Sequence, residues 1–128
     1  MDGLFKKLEV VSYNVNDWQR AKIFYGETLG LPVAFFINDE IGWMEFGEQE
    51  GTHLAINRWE GPGAFSAGSG GATVVFTVDD AAQAVAELRR RGVKCDDPMG
   101  IPEMVTYASF YDPDGNRLQL AGPPPKAD

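Results

Sequence analysis

Apolar and polar positions alternate at period two in two separate stretches of the chain. Val11-Ser12-Tyr13-Asn14-Val15 is the first, and Val74-Val75-Phe76-Thr77-Val78 is the second. Such alternation predicts a strand with one buried face. Each run leads to an aspartate, Asp17 or Asp80, of the type that caps a helix. The stretches after them, Trp18 to Tyr25 and Ala81 to Leu88, place apolar residues at three- and four-residue steps. Each therefore predicts a helix with a single apolar face. Gly30 and Gly92, each followed by an apolar residue, punctuate the helix ends.

The second halves of the two stretches also match. Trp43-Met44-Glu45-Phe46-Gly47 aligns with Tyr107-Ala108-Ser109-Phe110-Tyr111, and both are short β-prone runs that lead into a turn. The turns are Glu48-Gln49-Glu50-Gly51 and Asp112-Pro113-Asp114-Gly115, the latter a strong hairpin signal. The strands after them are His53-Leu54-Ala55-Ile56-Asn57 and Arg117-Leu118-Gln119-Leu120-Ala121. The offset between copies stays at about 63 residues, the mark of an internal duplication.

Each copy reads as strand, helix, then two or three strands. The prediction is one α+β domain over 1–128 made of two pseudo-symmetric βαβββ modules, 4–59 and 72–122. The segment 60–71 is glycine-rich and aperiodic, a linker; it lacks the Lys-Ser/Thr and following helix of a phosphate loop. The proline-rich end, 123–128, is predicted to be extended and mobile.

Alternation also sorts the strand residues by face. Val11, Tyr13, Val15, Leu54, Ile56, Val74, Phe76, Val78, Leu118 and Leu120 form an apolar row suited to packing under the helices. The other row is mixed in polarity: Val10, Ser12, Asn14, His53, Ala55 and Asn57 in the first module, and Thr73, Val75, Thr77, Arg117, Gln119 and Ala121 in the second. Aromatic residues outside the core row, among them Phe35, Phe36, Trp43, Trp59, Phe65, Tyr107 and Phe110, supply material for an aromatic-lined pocket. Packing between sheets is the competing use for Trp43 and Phe110. Trp18, next to the capping Asp17, reads as a surface or helix-packing residue, and Phe24 and Tyr25 as core or inter-unit packing.

Two βαβββ units carrying Asp17, Arg20-Ala21, Phe24-Tyr25 and Leu29-Gly30-Leu31 in the first, and Asp112-Pro113-Asp114-Gly115-Asn116 in the second, resemble the vicinal oxygen chelate superfamily. That group holds glyoxalase I, extradiol dioxygenases, fosfomycin-resistance proteins, methylmalonyl-CoA epimerase and the bleomycin-binding proteins. The resemblance runs from about Leu4 to Gly122 and implies curved mixed sheets around a ligand trough. It also implies up to four metal ligands, from the first and last strand of each unit. Here those positions fall on Val10, Ala55, Thr73 and Gln119. Val10 and Ala55 have no ligating side chain, Thr73 is a weak ligand, and Gln119 alone is a possible one. A divalent metal needs several converging imidazole or carboxylate groups, so the expectation is no metal cofactor. A rescue would recruit His53 with Glu45. Recruiting Glu9 as well would require the first strand to slip by one residue, expelling Tyr13 and Val15 from their row.

Composition narrows the partners. The 128 residues carry 44% hydrophobic and 23% charged residues and a formal net charge of −8. An acidic chain lacks the cationic footprint of a nucleic-acid binder, and no apolar run is long enough to span a membrane. The first residues show no signal-peptide pattern, so the expected compartment is the cytoplasm. Cys95 is a single cysteine and reads as a structural thiol. Two function classes stay open. One is a metal-independent binding protein, similar to bleomycin-resistance proteins, with ligand contacts from Ser12, Asn14, Trp43, Asn57, Thr73, Thr77, Tyr107, Arg117 and Gln119. The other is a lyase, isomerase or dioxygenase using His53 and Glu45 as an acid/base couple, with an acquired metal or with none. A regulatory subunit that binds a peptide is a third. The expected partners are a small-molecule ligand and a second copy of the chain, since a homodimer would cover exposed sheet edges.

Overall fold

The computed structural model describes residues 3–4, 6–66 and 72–126. Positions 67–71 of the predicted linker and 127–128 of the predicted tail lie outside the described residues. Contacts divide the chain into two units, Met1–Phe65 and Ser66–Asp128.

The first unit opens with β1 (Val10–Val15) and α1 (Trp18–Lys22). Asp17 caps the helix, its carboxylate accepting from the Arg20 amide at 3.0 Å. The helix then widens into a π-helical segment (Ile23–Thr28), in which the Leu29 amide reaches back five residues to the Phe24 carbonyl at 2.9 Å. Gly30, at φ +74°, ends it and lets the Leu31 amide donate to the Tyr25 carbonyl. β2 (Val33–Phe36), β3 (Trp43–Phe46) and β4 (His53–Arg58) complete the unit. The sheet order is β1-β4-β3-β2, with β1 parallel to β4 and the other pairs antiparallel.

The second unit repeats that plan with β5 (Val74–Thr77), α2 (Ala81–Arg90), β6 (Lys94–Cys95), β7 (Met99–Ile101), β8 (Val105–Tyr111) and β9 (Arg117–Gly122). Its order is β5-β9-β8-β6, with β7 also on β8, and β5 runs parallel to β9. The duplication read from the chain is therefore a duplication of topology. The copies differ at the outer strand. β2 is one strand with a register shift between Val33 and Phe35, whereas its counterpart is split into β6 and β7. Pro98 lies in the gap, and a proline has no amide hydrogen to give to a ladder.

Core packing obeys the alternation. In the first unit Tyr13, Val15, Met44, Phe46, Leu54 and Ile56 are buried together with Trp18, Ala21, Phe24 and Tyr25 of the helix. The Tyr25 ring stacks on Phe46 at 5.9 Å and takes Phe24 edge-on at 5.0 Å. In the second unit Ala108, Phe110, Leu118 and Leu120 are buried with Ala81, Val85 and Val93. α2 lies over β6, β8 and β9. Burial of one such large apolar side chain contributes about 1.5–3 kcal/mol. Phe110, a pocket candidate from sequence, is thus core, 6.3 Å from Phe76.

Two joints tie loops to this frame. Asn16 holds the start of the predicted linker, accepting from the Phe65 amide at 2.6 Å and donating to its carbonyl at 2.8 Å. Trp59 packs on Phe65 at 5.5 Å. The loop between β2 and β3 is held at several points. Asp39 accepts from Trp18 Nε1 at 2.7 Å and from Lys22 Nζ at 2.6 Å, and these donors, Lys22 foremost, hold its carboxyl below the usual range. The Arg58 guanidinium donates to the carbonyls of Asp39 and Glu40 and lies over the Trp18 ring. In the second unit part of the proline-rich end lies against β7. Pro125 occupies the space that a side chain at Gly100 would need.

Gly42 is the tightest point of the loop. Its φ is +75°, and a Cβ there would lie 2.5 Å from Arg58 Cβ. Gly30 has nearly the same φ, +74°, with nothing within 4 Å. Gly30→Ala is therefore expected to cost only the left-handed strain, about 1–2 kcal/mol. Gly42→Ala adds overpacking against the strand, for roughly 2–5 kcal/mol in all. Chemical denaturation of the two variants measures the difference, and equal losses would exclude the Arg58 contact as the source.

Candidate functional site

The face of the first sheet turned away from its buried row carries three rows of side chains set by strand register. Val10 pairs with His53; Ser12 pairs with Ala55, which pairs with Glu45 and then Phe35; Asn14 pairs with Asn57, which pairs with Trp43. Six of the sequence-predicted site residues, Ser12, Asn14, Trp43, Glu45, His53 and Asn57, are thus placed together. Phe35 joins them as the outer aromatic. Glu9 stays outside: Tyr13 and Val15 are buried, so the strand has not slipped, and the Glu9 carboxylate pairs with Lys7 at 3.6 Å.

A chain of hydrogen bonds organises this face. Trp43 Nε1 donates to Glu45 Oε2 at 2.8 Å, Glu45 Oε1 meets His53 Nδ1 at 2.8 Å, and His53 Nε2 meets the Glu48 carbonyl at 2.6 Å. The partners bias the protonation state. A carbonyl oxygen only accepts, so Nε2 is the donor to Glu48, and an ionised carboxylate favours a proton on Nδ1 as well. The indole N–H first, and His53 after it, hold the Glu45 carboxyl below its usual range. Glu45, with help from the Glu48 carbonyl, raises the imidazole above its usual value. His53 and Glu45 therefore favour each other's charged forms, in a pair whose side chains are 15% and 18% exposed. Asn57 Nδ2 donates to Asn14 Oδ1 at 3.1 Å beside this chain.

The corresponding face of the second sheet is built on the same plan with different chemistry. Val75 pairs with Gln119 and then Ser109; Thr77 pairs with Ala121, Tyr107 and Met99; Arg117 pairs with Tyr111 and then Lys94. Arg117 Nε and Nη2 donate to Thr73 Oγ1 at 3.2 and 3.1 Å. Gln119 Nε2 donates to Ser109 Oγ at 3.1 Å. Thr73, Thr77, Tyr107, Arg117 and Gln119 are thus on one face of their own unit. Sequence reading passed over Ser109 and Tyr111, although each lies beyond Tyr107 at the even spacing that marks a shared face. The Tyr111 hydroxyl donates to Asp96 at 2.8 Å and its ring lies 5.4 Å from Lys94 Nζ. The partnership of His53 with the Glu48 carbonyl left no trace in the sequence, because it depends on how the turn folds.

The donor set does not suit a divalent metal. The family positions present Val10 beside His53, buried Ala55 beside Ser12, Thr73 engaged by Arg117 and Gln119 engaged with Ser109. Among the described residues no three His, Cys, Asp or Glu side chains converge. Both ring nitrogens of His53 are already engaged, by Glu45 and by the Glu48 carbonyl. Cys95 is partly buried, which pushes its thiol up and away from the reactive thiolate.

The family model of the Glyoxalase/Bleomycin resistance protein/Dioxygenase superfamily matches residues 7–120. The chain belongs to this superfamily. Among solved structures it is similar to TnmS3, an antibiotic binding protein from Streptomyces sp. CB03234, with 28% identity and a TM-score of 0.76 over 95% of this chain and 99% of that one. A glyoxalase/bleomycin resistance protein from the same Streptomyces is 29% identical, with a TM-score of 0.68 over 89% and 98% of the two chains. A glyoxalase family protein from Enterococcus faecalis shares the fold at 23% identity and a TM-score of 0.67, over 93% and 99%. No curated protein matches the chain. Among the described residues no helix is long and apolar enough to cross a membrane.

The ion pair sets a pH window. The His53 pKa is raised from 6.5, so its stabilisation is full below that value and fades as pH climbs through the folded pKa. The Glu45 pKa is lowered from 4.5, so its share is full above that value and fades as pH falls through the folded pKa. The pair therefore contributes most between about pH 4.5 and 6.5. A melting profile of the wild type minus that of His53→Gln should peak in this window; a difference that is flat with pH would contradict the assignment.

Proposed function

We propose that this protein binds a small molecule on the polar and aromatic faces of its sheets and holds it without chemical change, as an antibiotic-binding protein does. The observation that carries this reading is the commitment of His53. General-base catalysis needs a free nitrogen lone pair, and so does metal ligation; both ring nitrogens of His53 are already engaged, one by Glu45 and the other by the Glu48 carbonyl. What the faces do offer is an indole, phenol and phenyl rings, amides, hydroxyls and one guanidinium, the usual equipment of a ligand site. The antibiotic-binding role of TnmS3, at 28% identity over nearly the full chain, supports the same reading. The enzyme alternative, with His53 and Glu45 as acid and base, would first have to break the pair and surrender the bond to Glu48.

The test is a melting series on chelator-treated protein against Zn²⁺, Ni²⁺, Mn²⁺, Fe²⁺ and Mg²⁺, and against a panel of aromatic antibiotics. A specific ligand at a hundred times its dissociation constant adds about 2.7 kcal/mol, an easily measured shift. The expected result is a shift with at least one antibiotic, recovered intact by mass spectrometry, and none with the metals. A shift with one metal, lost in His53→Ala, would make the protein a metalloenzyme of its superfamily instead.

A second copy of the chain is the protein partner that fits this reading. β2 is the outer strand of the first sheet, and its Val33-Ala34-Phe35-Phe36 run has no charge to deter pairing. Val33 is 51% exposed, Phe35 50% and Phe36 42%. Light scattering is expected to show a dimer that Val33→Lys shifts toward monomer. A monomeric wild type at 100-fold dilution and at working concentration alike would overturn it.

A further inference from the structure

The proline triplet after β9 bears on the outer strand of the second unit, whether or not a ligand binds there. β7 has little of its own to hold it in place. It is three residues long, all of them exposed, and among the described residues it pairs with β8 alone. Pro98 separates it from β6, so the two pieces do not support each other as one strand. The turn after β7 is closed by the Met104 amide on the Ile101 carbonyl at 3.0 Å. It holds Glu103 at φ +65°, a conformation that disfavours a residue with a Cβ. A short, unburied edge beside a strained turn opens readily unless something else restrains it.

What lies on β7 is Pro125. A Cβ at Gly100 would be 2.5 Å from Pro125 Cγ and 3.4 Å from its Cβ and Cδ. Strand register accounts for the path of the tail. Gly122, at the end of β9, is level with Thr106 of β8, and Thr106 is level with Gly100 of β7. Two strand spacings come to about 9–10 Å, and three residues of extended proline backbone span about 9 Å. The chain bends at Pro123 and covers that distance in three steps. Prolines suit the crossing for two reasons. They have no amide hydrogen, so the segment cannot join the sheet as a further strand, and their φ is already fixed, so seating them costs little conformational freedom. The path also begins at a glycine for want of room: a Cβ at Gly122 would lie 3.1 Å from the Val78 carbonyl oxygen.

We propose that residues 123–125 form a releasable strap, anchored at Gly122 and seated on Gly100, that holds β7 in register with β8. Pro125 is itself exposed, so the seat is shallow and the strap can lift. Its effect passes through the strand to the opposite side. Gly100 faces the strap, whereas Met99 and Ile101 face the other way. Met99 is level with Tyr107, whose hydroxyl lies 4.0 Å from its sulfur. Lifting the strap therefore loosens the Met99–Tyr107 contact on the far face.

Amide hydrogen exchange on four full-length chains tests this: wild type, a serine variant (Pro123→Ser, Pro124→Ser and Pro125→Ser together), Gly100→Ala, and the combination. Exchange across residues 99–101 is expected to speed up roughly fivefold or more in the serine variant, with the amides of α2 unchanged. Gly100→Ala alone should act in the same direction, because the new methyl expels the Pro125 ring. In the serine background the same substitution should leave exchange unchanged or slow it, since no ring fills the seat and alanine is less costly than glycine within a strand. The Met99 methyl resonance, assigned with Met99→Leu, reads the far face and should move in the serine variant and in Gly100→Ala. Unchanged exchange in the serine variant would overturn the strap, and so would equal acceleration by Gly100→Ala in both backgrounds. Acceleration of α2 by the same factor would also overturn it, by showing a general loosening of the unit. A Met99 methyl resonance that stays in place would overturn the coupling to the far face.

Discussion

In each unit the first strand and the last lie side by side in parallel, and that pairing dictates the path of the whole chain. Two parallel neighbours cannot be joined by a tight turn. The chain between them must leave the sheet and return, and here it supplies the helix and the two or three intervening strands. Once Val10 is set beside His53, and Val74 beside Leu118, every later side chain has its face assigned. A slip of one residue would exchange the buried row for the exposed row. Tyr13, Val15, Ile56 and Leu118 forbid it, since each is at most 7% exposed and would have to enter water.

That fixed frame allows the two copies to diverge in chemistry without diverging in shape. At equivalent places on the outer faces, the first unit has Trp43, Glu45 and His53, and the second has Tyr107, Ser109 and Arg117. One face pairs its carboxylate with its imidazole. The other carries a guanidinium bonded to the Thr73 hydroxyl and a Gln119 amide bonded to the Ser109 hydroxyl. Neither presents a set of converging ligands to a divalent ion, and both retain aromatic surface. The superfamily fold is thus intact, and at the four positions the resemblance implies for metal ligands the chain has Val10, Ala55, Thr73 and Gln119.

The fold was legible because its signals are local and repeated. Asp17 and Asp80 cap as their positions suggested, with Arg20 and Gln83 amides as donors. Gly30 and Gly92 both take positive φ where the helices end. Alternation also named the shared faces, because period two needs no tertiary knowledge. Other features depended on contacts remote in the chain. The widening of α1 into a π-helical segment, the split of the second unit's outer strand, and the seat of Pro125 on Gly100 have no periodic signature. The upward shift of the His53 pKa is of the same kind. Glu45 could be proposed as its neighbour by strand pairing, but the Glu48 carbonyl that engages the second ring nitrogen belongs to a turn whose shape is set by three-dimensional closure.

The anchoring of the β2–β3 loop bears on how a ligand would come and go. Loops beside binding faces often act as gates, and exchange is then limited by their opening. This one leads directly into Trp43, yet its Asp39 is bound to Trp18 and Lys22, its carbonyls are capped by Arg58, and Gly42 rests on the Arg58 side chain. To swing away it would have to uncover a tryptophan that is 4% exposed. For a ligand bound on this face as proposed, residence time would be governed by the strength of the contacts themselves, and a tighter ligand would be one that leaves more slowly, with no door to wait for.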